Sequence, residues 1–111
     1  MSYDPDNFSA LANTAGGYYE INQPDAAIEY AIRAIRRCPT PSEFFVVGSA
    51  YAKKGDKKRA LSWLEAAIKG GLFEQYPGSN WGSHTVRQAI EENFAPLRND
   101  PAYVSLMQQL P

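Results

Sequence analysis

The stretch Thr40-Pro41-Ser42-Glu43-Phe44-Phe45-Val46-Val47-Gly48-Ser49-Ala50-Tyr51-Ala52-Lys53-Lys54-Gly55-Asp56 decides the fold. It opens with the layout of a capping box: Thr40 as N-cap, Pro41 at N1 where a missing N–H costs nothing, and Glu43 at N3. Phe44, Val47, Tyr51 and Ala52 then recur at helical spacing. Gly55 suits the left-handed residue that ends a helix, and Asp56 is placed to cap the next one. That next helix carries Ala60, Leu61, Leu64, Ala67 and Ile68 as its apolar face and stops at Gly70-Gly71. The reading is two helices joined by a tight turn.

The same unit occurs earlier in the chain. A shift of 33 residues aligns Tyr18 with Tyr51, Ala27 with Ala60, Ala34 with Ala67 and Ile35 with Ile68. It also pairs Leu11 with Phe44, Ala15 with Gly48, Ile28 with Leu61 and Tyr30 with Trp63, so small residues meet small ones and large apolar residues meet large ones. At the first turn Asn22 stands in the Gly55 position, and Asn is the other residue that tolerates left-handed geometry. Gln23 replaces the Asp cap and Pro24 supplies an N1 proline. A period in this range is the signature of stacked helical hairpins.

These units resemble tetratricopeptide repeats, whose pattern runs W-x2-L-G-x2-Y, then A-x3-F, then P. The second unit reads Phe44-x2-Val47-Gly48-x2-Tyr51, then Ala60-x3-Leu64; the first reads Leu11-x2-Thr14-Ala15-x2-Tyr18, then Ala27-x3-Ala31 and Pro39. The departures are the period of 33 instead of 34, Thr14 at a usual Leu position, and Leu72 where the second unit would end in Pro. The stretch Phe94-Ala95-Pro96-Leu97-Arg98-Asn99-Asp100-Pro101-Ala102-Tyr103 also resembles the P-L-R-x-D-P tail, followed by an aromatic, that closes many bacterial members of the family. The resemblance implies an all-α, right-handed α-solenoid: two helix pairs (about 8–40 and 41–73), a loop over 70–82, and a degenerate third pair over 83–111 acting as cap. The expectation is one domain over 1–111. A cap is what a repeat stack requires, because its last apolar face would otherwise meet water.

The resemblance also implies a concave groove lined by the first helix of each pair. Its positions map onto Ser9, Ala12, Asn13, Gly16, Tyr19 and Glu20, and onto Ser42, Phe45, Val46, Ser49, Ala52 and Lys53. Some chaperone-binding members clamp a C-terminal carboxylate with Lys and Asn in this groove; Ala12, Gly16 and Val46 stand at such positions here, so that clamp is not expected. Phe45 and Val46 are expected as apolar anchors, Asn13 and Ser49 as hydrogen-bonding groups, Glu20 and Lys53 at the rim. For Phe45, burial beneath the third unit is the alternative. Gly16-Gly17 reads either as close helix packing or fraying, or as a bare groove floor that a ligand backbone could approach.

Composition limits what else the chain could do. Its 111 residues are 44% hydrophobic and 13% aromatic, enough for a folded core and against disorder. No run of about 18 apolar residues exists, so no membrane insertion is expected. Met1-Ser2-Tyr3-Asp4-Pro5-Asp6 is acidic and has no apolar run, unlike a secretory signal. One cysteine, Cys38, forms no intrachain disulfide, which mildly favours a reducing cytoplasm over the periplasm. Charge is uneven: residues 1–32 carry net −5, 33–69 net +6 and 70–111 net −2. The cluster Lys53, Lys54, Lys57, Lys58 and Arg59 surrounds the second turn and is read as a solvated surface, with an acidic partner as the alternative. Nucleic-acid binding is not expected, because the basic residues are not interleaved with exposed aromatics. His84 beside Ser83 lacks the strained turn and oxyanion hole of a triad. Cys38 is expected to be half-buried and inert, and Phe73, Tyr76 and Trp81 to pin the loop to the core, with a ligand lid as the alternative. No cofactor or metal is expected. The functional expectation is a non-catalytic module that binds a peptide or partner helix through an apolar anchor; self-association as a homo-oligomer, or service as an accessory structural domain, is the alternative.

Overall fold

The computed structural model describes residues 7–72, 80–81 and 84–110. Four helices form two hairpins: α1 (Phe8–Glu20) with α2 (Pro24–Arg37), and α3 (Pro41–Lys54) with α4 (Lys57–Lys69). Each hairpin packs tightly within itself, and α2 lies along α3. A two-residue antiparallel pairing follows, β1 (Asn80–Trp81) with β2 (His84–Thr85). Then come α5 (Val86–Asn93), a 3-10 turn at Ala95–Leu97 and α6 (Pro101–Gln108). The architecture is an all-α stack of packed helix pairs, and the small ribbon is the feature that periodicity gave no reason to expect.

Helix boundaries follow the local chemistry. Thr40 accepts a hydrogen bond from the Glu43 N–H at 3.5 Å, and Asp56 accepts one from the Arg59 N–H at 3.1 Å. Asn22 and Gly55 both take left-handed backbone, φ 63° and 82°, so the two turns solve one geometric problem with different residues. Asn7 caps α1 through the N–H groups of Ser9 and Ala10, and Asp100 caps α6 through those of Ala102 and Tyr103. The capping box at α3 is only half made. Glu43 is buried, and among the described residues its Oε1 has no hydrogen-bond partner, so that oxygen does not return the bond to Thr40.

Two apolar clusters hold the stack, and α3 serves both. Val47 and Ala50 join Ala15, Ala27, Ile28 and Ala31 on the α1–α2 side. Phe45 and Ala52 join Ala60, Leu64, Ala67 and Leu72, together with Val86, Ala89, Ile90, Phe94, Leu97, Tyr103 and Met107 of the last third. Of the expected stripe, Val47 and Ala52 are buried and Phe44 and Tyr51 are half-buried against the core; Phe45, Gly48, Ser49 and Ala50 are buried as well. A single amphipathic face could not predict a helix covered from two sides.

Small residues set the spacing. A Cβ built on Gly48 would lie 3.1 Å from both the Ala60 carbonyl oxygen and Phe94 Cζ, so α4 and the cap both close on this point. The third unit covers the end of the stack differently from a true repeat: its 3-10 turn approaches α3 and α6 approaches α4. Phe94 is the central cap residue, fully buried, with its ring 5.8 Å from Phe45 and 6.4 Å from Tyr103.

Candidate functional site

The sequence-selected residues fall on α1, on α3 and around the α3–α4 turn. Along α1, Asn13 and Glu20 are exposed, Gly16 is partly exposed and Tyr19 is half-buried. A Cβ placed on Gly16 or on Gly17 would meet nothing within 4 Å. Among the described residues, close helix packing therefore does not account for this pair of glycines, of which Gly16 is partly exposed and Gly17 exposed.

On α3, three expected groove residues are interior. Phe45 is 5% exposed, Ser49 2% and Ala52 1%. The expectation of Phe45 as a ligand anchor is corrected: its ring packs on Phe94, the alternative that placed it under the third unit. Ser49 is likewise corrected from a ligand-facing hydrogen bonder to a buried hydroxyl, and Ala52 from groove lining to core. Val46 is half-buried against the α1–α2–α3 cluster.

Lys53 and Asn93 converge on Tyr19. Its phenol donates to Asn93 Oδ1 at 2.7 Å, joining the end of α1 to the end of α5. Lys53 Nζ donates to the Tyr19 carbonyl oxygen at 2.8 Å and lies 3.9 Å from the centroid of the Tyr19 ring. Both contacts suit a cation, one with a carbonyl in the last turn of a helix and one with an aromatic face. Burial pushes the Tyr19 phenol above its ordinary pKa, and the neighbouring Ser49 hydroxyl offsets this only in part. Among the described residues the buried Ser49 Oγ has no partner within hydrogen-bond geometry.

The basic cluster is largely internal in its pairing. Lys54 forms an ion pair with Asp25 of α2, which holds its ammonium above the usual lysine pKa. Arg59 pairs with Asp56 at 3.0 Å, and its guanidinium lies 5.8 Å from the Tyr51 ring. Lys57 and Lys58 are exposed. These contacts tie α2 and the α3–α4 turn together, which a reading of charge along the chain does not show.

Cys38 is exposed, contrary to the expected half-burial, because the chain turns extended after α2. The side chains of His84 and Trp81, and residues 73–79 with Phe73 and Tyr76, lie outside the described residues, as does Ser83. Among the described residues no group of three His, Cys, Asp or Glu side chains is arranged to hold a metal ion. Among them too, no helix is long and apolar enough to cross a membrane.

Sequence reasoning missed Asn93 and a depression in the cap. The latter has a volume of about 410 Å³ and lies between α5, the 3-10 turn and α6. Asn93 carries no local signal, since its partner is 74 residues away. The two arginines at the depression stood in the sequence without a periodic pattern to join them. Comparison with known proteins finds no matching family model, no matching curated protein and no matching solved structure.

Proposed function

We propose that this chain is a non-catalytic protein-interaction module of tetratricopeptide type, holding a peptide segment along the outer face of α1 beside Lys53. The observation that supports this reading is the open Gly16–Gly17 strip. Two glycines inside a helix each cost about 1 kcal/mol relative to Ala. Among the described residues, nothing lies within 4 Å of a Cβ placed at either position. A ligand backbone approaching that strip would meet Asn13 and Glu20 as polar partners. With Phe45 in the core, recognition rests on polar and backbone contacts in place of the apolar anchor expected at first.

Self-association or service as an accessory domain is the second reading. It is favoured by Ile21, a large apolar side chain left 66% exposed at the α1–α2 turn.

The test is affinity capture from a source lysate with wild type, Gly16→Glu, and Lys57→Glu/Lys58→Glu, each first shown to be folded by circular dichroism. A partner retained by the charge-reversal pair and lost with Gly16→Glu supports the α1 face. A partner lost only with the charge-reversal pair moves recognition to the basic turn. If wild type captures only itself and its mass rises with concentration, self-association replaces the module reading.

A further inference from the structure

The depression in the cap combines an apolar floor with an uneven charge on its rim. Tyr103 and Met107 of α6 form the floor, both buried, and Val104 stands beside them with 39% of its surface exposed. Arg87 and Glu91 of α5 form one wall, and Arg98, just after the 3-10 turn, forms the other. Its volume of about 410 Å³ falls in the range of ligand-binding clefts.

The charges do not cancel. Glu91 lies 3.9 Å from the Arg87 guanidinium, which also donates to the Met107 carbonyl oxygen at 3.5 Å. Arg87 is thereby held against the wall, and Glu91 is engaged with it. Asp100 is spent on the α6 N-terminus, where it accepts from the Ala102 and Tyr103 N–H groups. Arg98 is exposed, and among the described residues no carboxylate pairs with it. One guanidinium is thus left facing an apolar surface, and a guanidinium is a planar donor suited to a carboxylate.

From this we infer that the cap depression is a second binding site, distinct from the α1 face, that takes an acidic peptide segment in which a carboxylate side chain adjoins an apolar one. The carboxylate pairs with Arg98, and the apolar side chain lies on Val104, Met107 and the Tyr103 ring. The depression is open to solvent along one side, so it covers one or two side chains of an extended segment. Charge complementarity selects the acidic residue; the exposed Val104 selects its apolar neighbour.

Two synthetic peptides test this, Ac-Ser-Leu-Glu-Leu-Ser-amide and its counterpart with Gln in place of Glu, titrated into the labelled protein and followed by backbone amide NMR. The expected result is a saturable shift of the Ala95, Arg98 and Val104 amides with the Glu peptide, and affinity about tenfold weaker with the Gln peptide, as loss of a charge-assisted bond implies. Arg98→Ala should remove the preference for Glu over Gln, and Val104→Asp should remove binding of both. Both side chains are exposed, so the variants keep the wild-type spectrum elsewhere. Gly16→Glu, which tests the α1 face, should leave these titrations unchanged. Equal binding of the two peptides, no shift with either, or an undiminished Glu preference in Arg98→Ala overturns the inference.

Discussion

The Tyr19 hydroxyl and the Asn93 side chain share a 2.7 Å hydrogen bond across 74 residues of sequence. It links the first helical hairpin directly to the cap, past α3, and the Lys53 ammonium closes over the same ring from α3. Three units of the stack meet at one aromatic side chain. Tyr19→Phe keeps the ring and the Lys53 contact but leaves the Asn93 amide oxygen without its donor. The expected loss is about 1 kcal/mol. Urea unfolding should show a lower midpoint at unchanged slope; an unchanged midpoint would mean that water replaces the phenol at no cost.

The glycines make opposite predictions. Gly16→Ala and Gly17→Ala fill open space in a helix and should each stabilise by up to about 1 kcal/mol. Gly48→Ala forces α4 or Phe94 to move, since its Cβ contacts would start at 3.1 Å, and should destabilise by about 1–3 kcal/mol. Denaturant midpoints of the three variants check the contrast in sign. If Gly16→Ala also weakens capture of a partner, the bare strip is used for binding.

Glu43 should make stability depend on mildly acidic pH. It shares a stripe with Val47 and Ala50 on the side of α3 that faces α2, and burial raises its carboxyl pKa above 4.5. The folded state therefore holds the proton more tightly than the unfolded state. The contribution is fully favourable below the unfolded value and is lost as pH rises through the folded value. Glu43→Gln removes the ionisable group and should stabilise relative to wild type at pH 7, because a neutral amide escapes the desolvation penalty that burial places on the carboxylate. The gain should shrink as pH falls toward 4. Urea midpoints between pH 4 and 7 test this, and a constant difference across that range would contradict it.

Tyr19 and Tyr103 extend the argument to alkaline pH. Burial raises Tyr19 and Tyr103, and for Tyr103 the Glu91 carboxylate adds to the effect against Arg87. By the same sign, their contribution is present below the ordinary phenol value of 10.0 and lost as pH rises through their folded values. Absorbance titration should show Tyr19 and Tyr103 ionising late, and Tyr19→Phe should reduce the late-titrating phenol signal.

Phe94 and Lys54 separate core from surface. Phe94→Ala empties a fully buried site touching Phe45 and Tyr103, and should cost about 3–5 kcal/mol. Lys54→Ala breaks an exposed ion pair with Asp25 and a 6.0 Å approach to the Tyr51 ring, and should leave the thermal midpoint unchanged within error. A large effect from Lys54→Ala would show that the tie between α2 and the α3–α4 turn carries more than its exposure implies.

What was legible in the sequence was local. Thr40, Asp56, Asn22 and Gly55 each act within three or four residues of themselves, so helix starts, stops and turn geometry could be read from the chain. The 33-residue repetition of small positions likewise announced hairpins that close on Ala15, Ala27, Gly48 and Ala60. Three of these are buried alanines, and the fourth is a glycine pressed by Phe94.

The candidate groove was less legible because a side chain's exposure depends on what lies opposite it. Phe45, Ser49 and Ala52 occupy positions that would face a ligand in an uncapped stack. Here the cap sits over them, and residues from 86 to 107 complete the core that Phe45 and Ala52 enter. The basic cluster changed for the same reason, since Asp25 and Asp56 neutralise cations that sequence order left together. An all-α chain of two helical hairpins is written into caps, turns and periodic small residues, whose physics is short-ranged. Which face stays open depends on the folded chain, because burial and pairing are set by partners such as Asn93 and Phe94 that arrive from distant positions.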